Sequence, residues 1–250
     1  MSVERDRLAE DFLSFALLAP RALSHSHLLK ELDKRIAGWG ITHVAACVMM
    51  DHERRFKVGP MFGKPNMAWA DVYFGEKLYL DDPVIDYAMR ADKAEYWDEA
   101  FDSSRIGKPA RRVLSMAGDV GARDGFLVPV PLYNGDIMVV SYQGERLERH
   151  PDVAGVLRGL AVYFGTEGQR LLIKSKLRSG RFAGLNARQM QVLHLAALGR
   201  RNKDIASELD LSVKTVEYHL ANIHQQIGAR NTKEAIAIIH SAPETLSDPD

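Results

Sequence analysis

The chain has 250 residues, 46% of them apolar, with 33 basic and 33 acidic side chains and a formal net charge of zero. This length fits one large domain or two ordinary ones, and the charge balance excludes an overall electrostatic signature for a polyanion partner. The single cysteine, Cys47, excludes a disulfide framework and a multi-cysteine metal site and suits a reducing cytoplasm.

The first twenty residues carry Leu8, Phe12 and Phe15 at helical spacing, so a helix is predicted over 4–18. Four acids by position 11 and a short apolar run argue against a signal peptide. No apolar run approaches the ~20 residues of a membrane span. Further helices are predicted at 26–38, 66–76, 83–92 and 104–118. Strands are predicted at 41–50, 126–132 and 137–143. Between the last two stands Tyr-Asn-Gly-Asp at 133–136, whose Asn-Gly marks a hairpin. A long helix follows over roughly 151–176. Helices before and after antiparallel strands predict an α+β fold, an α/β/α sandwich rather than a doubly wound parallel sheet.

The stretch 178–184 holds two glycines and a serine and reads as a linker. Beyond it, 185–240 is helical throughout. Asn186 with Gln189 has the pattern of a capping box, and Gly199 stops that helix. A second helix is expected at about 202–209, Ser212 caps a third, and Asn231 with Glu234 opens a fourth. Val216, Leu220, Ile223 and Ile227 form a buried stripe on the third helix. Lys214, Glu217, Tyr218, Ala221 and Asn222 lie opposite. Two short helices joined by a tight turn around 210–212 follow the helix-turn-helix plan, whose second helix enters the DNA major groove. An ordinary helical bundle shares this periodicity. Eight cations against five anions between 180 and 240 supply the charge that phosphate contact requires.

Particular residues decide between these readings. Arg188, Gly199, Asn202, Lys203, Ile205, Ala206, Leu209, Ser212, Thr215, Val216, His219, Ile223, Gly228 and Asn231 resemble the LuxR-type (GerE-like) DNA-binding domain. Gln189, Gln226-Ile227 and Thr232 depart from its usual Glu, Lys-Leu and Arg, and the last two changes remove cations. The resemblance implies double-stranded DNA as partner, bound as a homodimer on a near-palindrome, with RNA polymerase as a further partner. The expected DNA-binding residues are Lys203, Ser212, Lys214, Thr215, Glu217, Tyr218, Ala221 and Asn222. Of these, Lys214 and Thr215, at the start of the third helix, would hold phosphates, and Glu217 and Ala221, four apart on its exposed face, would read bases.

In the first half, Trp69 and Tyr73 lie four apart, on one face of a helix. Asp82-Pro83-Val84 follows, and Trp97 stands fifteen beyond Asp82. With Gly121 and Gly125, this pattern resembles the signal-binding domain of acyl-homoserine-lactone receptors over about residues 10–170. The resemblance implies an N-acyl homoserine lactone as ligand and no cofactor. Asp82 would accept the amide N–H, Trp69 would donate to the lactone carbonyl and Tyr73 to the acyl carbonyl. Trp97 would pack on the lactone ring, Ser141 would add a polar contact, and Ile85 with Met50, Met61 and Met67 would shape the acyl pocket. The chemistry matches: indole only donates, phenol can donate, and carboxylate only accepts. Asp before Pro is also how helices begin, so capping stands beside ligand contact for Asp82. Core packing stands likewise for Trp69 and Trp97, and Gly121 and Gly125 are assigned structural roles.

Nothing catalytic is expected. The chain has no Gly-x-Ser-x-Gly, Walker loop or Gly-x-Gly-x-x-Gly, and its nine histidines show no metal-ligand spacing. The expected organisation is a sensor domain over 1–174, a linker at 175–184, a DNA-binding domain over 185–240 and a tail at 241–250. The expected function is a cytoplasmic bacterial quorum-sensing transcription regulator. The alternatives are a LuxR-type regulator that senses another amphiphile or no ligand, and a constitutive DNA-binding or interaction protein.

Overall fold

The computed structural model describes residues 2–52, 55–91, 93–102, 105–132, 136–177, 182 and 184–241. By its internal contacts the chain forms two compact units, Met1–Pro131 with Ile137–Gly168, and Leu132–Asp136 with Gln169–Asp250.

The first unit opens with α1 (Ser2–Leu18) and α2 (His25–Ile36), the latter capped by Ser24, whose hydroxyl accepts from the His27 N–H. Strands β1 (His43–His52) and β2 (Arg55–Lys64) follow. Next come α3 (Met67–Gly75), α4 (Pro83–Arg90), β3 (Glu95–Tyr96), α5 (Trp97–Ala100) and α6 (Lys108–Asp119). The unit continues with β4 (Asp124–Pro131), β5 (Ile137–Gly144) and α7 (Pro151–Leu177), and the division between units falls within α7. The sheet order is β2-β1-β5-β4-β3, with every pair antiparallel. The α+β expectation therefore holds, with helices on both sides of an antiparallel sheet.

Two strands have no counterpart in the sequence reading. Residues 55–64 carry Gly59, Pro60 and Gly63 among charges, which hides the alternation of a strand. They pair with β1 on an edge, and Pro60 falls at the register slip between the Val58–Met49 and Met61–Cys47 pairs, where a missing N–H is tolerated. The other, β3, has only two residues. The expected helix at 104–118 begins at Lys108, with Pro109 in its first turn. Tyr133, Asn134 and Gly135 of the expected hairpin turn lie outside the described residues. So does most of the expected linker and all of the tail beyond 241.

The two faces of the sheet differ because side chains alternate along each strand. On one face, Val44, Ala46, Phe126, Val128, Met138, Val140 and Tyr142 are fully or almost fully buried. Along α7, the Tyr142 hydroxyl donates to the Leu157 carbonyl at 3.1 Å, and Phe164 stacks on Phe62 at 5.6 Å. On the other face, Ala45, Cys47, Val139, Ser141 and Gln143 lie under α3, α4 and α6 and leave space. The β1–β2 register slips between Cys47 and Met49, a bulge beside that space.

The second unit contains α8 (Ala187–Ala197), α9 (Asn202–Glu208), α10 (Val213–Ile227) and α11 (Thr232–Ser241). Its core joins Val192, Leu193, Ile205, Val216, Ile223 and Ala235. Among the described residues, no helix is long and apolar enough to cross a membrane.

Candidate functional site

The cavity on the open face of the sheet encloses about 70 Å³. All six ligand-binding residues expected from sequence, Trp69, Tyr73, Asp82, Ile85, Trp97 and Ser141, line it. The helix caps explain how. Asn66 caps α3, its Oδ1 accepting the Trp69 N–H at 3.2 Å. One turn of helix then sets the Trp69 and Tyr73 rings 5.5 Å apart on the cavity side. Asp82 caps α4, with Pro83 in the first helical position.

The capping reading of Asp82 holds, and its two oxygens have separate partners. Oδ1 accepts the Val84 N–H at 2.8 Å, and Oδ2 accepts the Tyr73 hydroxyl at 2.6 Å. Burial raises the Asp82 pKa above the usual carboxylate value, against the lowering effect of the Tyr73 hydroxyl and the Val84 and Ile85 amides. Burial, then the Asp82 charge, raises the Tyr73 phenol well above its ordinary value. The same two causes push the Cys47 thiol up to about 12. The carboxylate thus stands in a weakly screening environment where a hydrogen-bond donor has large leverage.

Trp97 opens α5 and lies over Gly125, where a Cβ would overlap the indole. Gly121 turns the chain into β4 with a φ of +87°, which only glycine adopts without strain. Met61 and Pro65 join the lining. Met67 does not: it is 57% exposed, because it precedes Trp69 by two residues and so points off the cavity face of α3. The Met50 side chain lies outside the described residues. Sequence reasoning missed Asn66, Cys47 and Gln143 as lining residues. The signal for Gln143 was present, since it stands two past Ser141 and alternate strand residues share a face.

In the second unit, the capping box of α8 is present, with Asn186 Oδ1 accepting from the Gln189 N–H and Gln189 Oε1 from the Asn186 N–H, both at 2.9 Å. Arg188 donates to the Leu209 carbonyl at 2.6 Å, tying α8 to the end of α9. The turn into α10 places Asp210 at φ +52°, a conformation that Asp tolerates. Ser212 caps α10, its Oγ accepting the Thr215 N–H at 3.0 Å and meeting the Thr215 hydroxyl at 2.7 Å. Val216, Leu220, Ile223 and Ile227 are buried as expected. Lys203, Ser212, Lys214, Glu217, Tyr218 and Ala221 are exposed, and Thr215 and Asn222 are partly buried. The Asn231 side chain accepts the Glu234 N–H, but the Glu234 carboxylate turns to the Arg230 backbone, so only half a capping box forms.

A small-molecule cavity in one unit and a helix-turn-helix in the other are the working parts of a ligand-responsive transcription regulator. The family profile "Autoinducer binding domain" matches residues 24–166, and "Bacterial regulatory proteins, luxR family" matches 183–239. The chain is 25% identical to the transcriptional activator protein BjaR1 of Bradyrhizobium diazoefficiens, over 84% of this chain and 86% of that one. It is also 25% identical to RpaR, an HTH-type quorum sensing-dependent transcriptional regulator of Rhodopseudomonas palustris, over 68% of each. The fold is similar to that of SdiA in complex with octanoyl-rac-glycerol, with a TM-score of 0.56 and 19% identity over 93% of this chain and 96% of that one. The chain belongs to the LuxR family of transcription regulators, with an autoinducer-binding domain and a GerE-type helix-turn-helix.

Proposed function

We propose that the autoinducer is an N-acyl homoserine lactone and that the protein, as a homodimer in the bacterial cytoplasm, binds a near-palindromic operator. The observation that supports this most is the convergence of donors and an acceptor, scattered from Trp69 to Ser141, on one cavity. An acyl homoserine lactone presents two carbonyl acceptors and one N–H. Trp69 donates to the lactone carbonyl, Asp82 accepts the amide N–H, Trp97 packs on the ring and Ser141 adds a polar contact. The Tyr73 hydroxyl has one hydrogen, and Asp82 already holds it. Tyr73 therefore reaches the acyl carbonyl only by leaving Asp82, which frees that oxygen for the amide. A cavity of about 70 Å³ is well below the roughly 300 Å³ at the small end of ligand sites, so lining side chains move as the ligand enters.

Residues 1–174 act as the sensor and 185–240 as the DNA-binding domain, joined by 175–184 and followed by a tail at 241–250. Twofold symmetry sets the two recognition helices about one helical turn, or ~34 Å, apart on DNA. Lys203, Ser212, Lys214 and Thr215 position the phosphates. Glu217 and Ala221, flanked by Tyr218 and Asn222, read base edges, with Glu accepting from a cytosine amino group and Ala meeting a thymine methyl. RNA polymerase is the further partner of such a regulator when it activates.

A ligand that binds only the folded state adds about 2.7 kcal/mol of stability at a hundredfold excess over Kd. A clear rise in melting temperature is expected with at least one lactone in a series from short to long acyl chains, and no rise across the series refutes the lactone reading. Mass spectrometry of an organic extract of the purified protein separates a lactone from another amphiphile, such as the acylglycerol held by SdiA. On DNA, Glu217→Ala should relax the preference at one base pair per half-site, at a cost of roughly 1–3 kcal/mol on the best operator. Lys214→Ala should weaken all sequences alike and flatten the salt dependence. Uniform weakening by Glu217→Ala would show that Glu217 does not read sequence.

A further inference from the structure

The sheet floor of the cavity carries a polar pair, Ser141 and Gln143, of which the ligand roles above leave Gln143 unexplained. Ser141 and Gln143 point the same way from β5, and both line the cavity. Gln143 Nε2 donates to Ser141 Oγ at 3.2 Å. Ser141 is only 5% exposed. A serine hydroxyl has one hydrogen and two lone pairs, and it rotates to suit its neighbours. Here one lone pair is filled by the Gln143 carboxamide. Among the described residues, no acceptor takes the Ser141 hydrogen. A buried hydroxyl with its hydrogen free at a cavity wall is a donor waiting for an acceptor.

We infer that Gln143 is a positioning residue for ligand recognition: by donating to Ser141 Oγ, it fixes the serine as a hydrogen-bond donor toward the acyl carbonyl of the ligand. The inference rests on the acyl-lactone reading given above. Its physical basis is polarity. A carbonyl only accepts, so a serine that presented a lone pair to it would repel it. Gln143 narrows that choice by occupying one of the two lone pairs, so that the remaining hydrogen and single lone pair share the cavity side of the hydroxyl. The pair also compensates for Tyr73, whose single hydrogen is held by Asp82. Until Tyr73 leaves Asp82, Ser141 is a donor already available on the floor of the cavity, where it pairs across the strands with Ala45. Ser141 and Asp82 line the same cavity, so a carbonyl acceptor and an amide N–H of one ligand can be met there by a donor and an acceptor.

Isothermal titration of the full chain tests this, with the acyl homoserine lactone that gives the largest thermal shift. Gln143→Met keeps the side-chain length and removes the donor, and should weaken binding about three- to tenfold, the range of one neutral hydrogen bond. Gln143→Glu replaces the donor with an acceptor that draws the serine hydrogen away, and should weaken binding further, by about tenfold or more. In a Ser141→Ala background, both substitutions should change the affinity by less than about twofold. The melting temperatures of the variants without lactone separate a folding defect from a binding defect. Equal losses with and without the Ser141 hydroxyl would overturn the inference, since Gln143 would then act on the ligand by itself. Unchanged affinity in Gln143→Glu would overturn it too. A wild-type protein that takes up no lactone would instead overturn the ligand reading beneath it.

Discussion

Strand β5 puts two different materials on the two faces of one sheet. Met138, Val140 and Tyr142 are fully buried, and even the polar atom of Tyr142 is answered by the Leu157 carbonyl. The intervening Val139, Ser141 and Gln143 line a cavity with polar groups directed inward. The first face is buried throughout, and the second borders a cavity at Ala45, Cys47 and Ser141. The contrast teaches that, in this unit, stability and recognition are separated by a single residue step along a strand. A side chain's parity decides which of the two it serves.

The largest effect that can sharpen this contrast is on the packed face. Phe126→Ala should cost about 3–5 kcal/mol of stability, measured by denaturant titration, because it leaves a cavity where Phe126 is fully buried. The neighbouring Ser141→Ala on the open face removes one hydrogen-bonding atom and should cost about 1 kcal/mol. Similar losses at the two positions would dissolve the distinction between the faces.

Asp82→Asn comes next in size. It keeps the capping oxygen of α4 but replaces one acceptor with a donor, so lactone affinity should fall by roughly 1.5–3 kcal/mol with a smaller change in stability without ligand. A variant that melts early yet binds lactone as tightly as the wild type would make Asp82 a cap and nothing more.

The smallest effect is that of pH. Burial raises the Asp82 pKa in the folded protein above its ordinary value of 3.8. A raised carboxylate pKa means that the folded state holds the proton more tightly, so the contribution of this group to stability improves as pH falls through the folded pKa. Lactone affinity should move the other way, since a protonated Asp82 is a poorer acceptor for the amide. Titrations from neutral pH downward should show affinity falling in wild type and a flatter profile in Asp82→Asn. Equal profiles would remove the carboxylate from ligand binding.

The two units were not equally legible in the sequence. In the second, every cap that organises the helices is set by residues within a few positions of one another: Asn186 with Gln189, Ser212 with Thr215, and Asn231 with Glu234. The buried stripe of α10 follows from its spacing alone. Asp82 was ambiguous for the same local reason: Asp-Pro opens a helix whatever else the carboxylate does. Its second oxygen, bonded to Tyr73, belongs to the fold.

Local sequence alone therefore determined most of the helices, the caps at Asn186, Ser212 and Asn231, the helix-turn-helix and the spacing of Trp69, Tyr73, Asp82 and Trp97, but not the short α5. Only the tertiary structure decided the rest. It made a strand of 55–64, because pairing with β1 supplies the hydrogen bonds that its glycines and Pro60 do not advertise. It set Gly125 under Trp97, turned Met67 outward, and brought Gln143 to Ser141 beneath the cavity. The physical reason is range. A helix cap closes within one turn of the chain, whereas a cavity floor is built from strands far apart in sequence, whose register and facing side chains exist only once the sheet has formed.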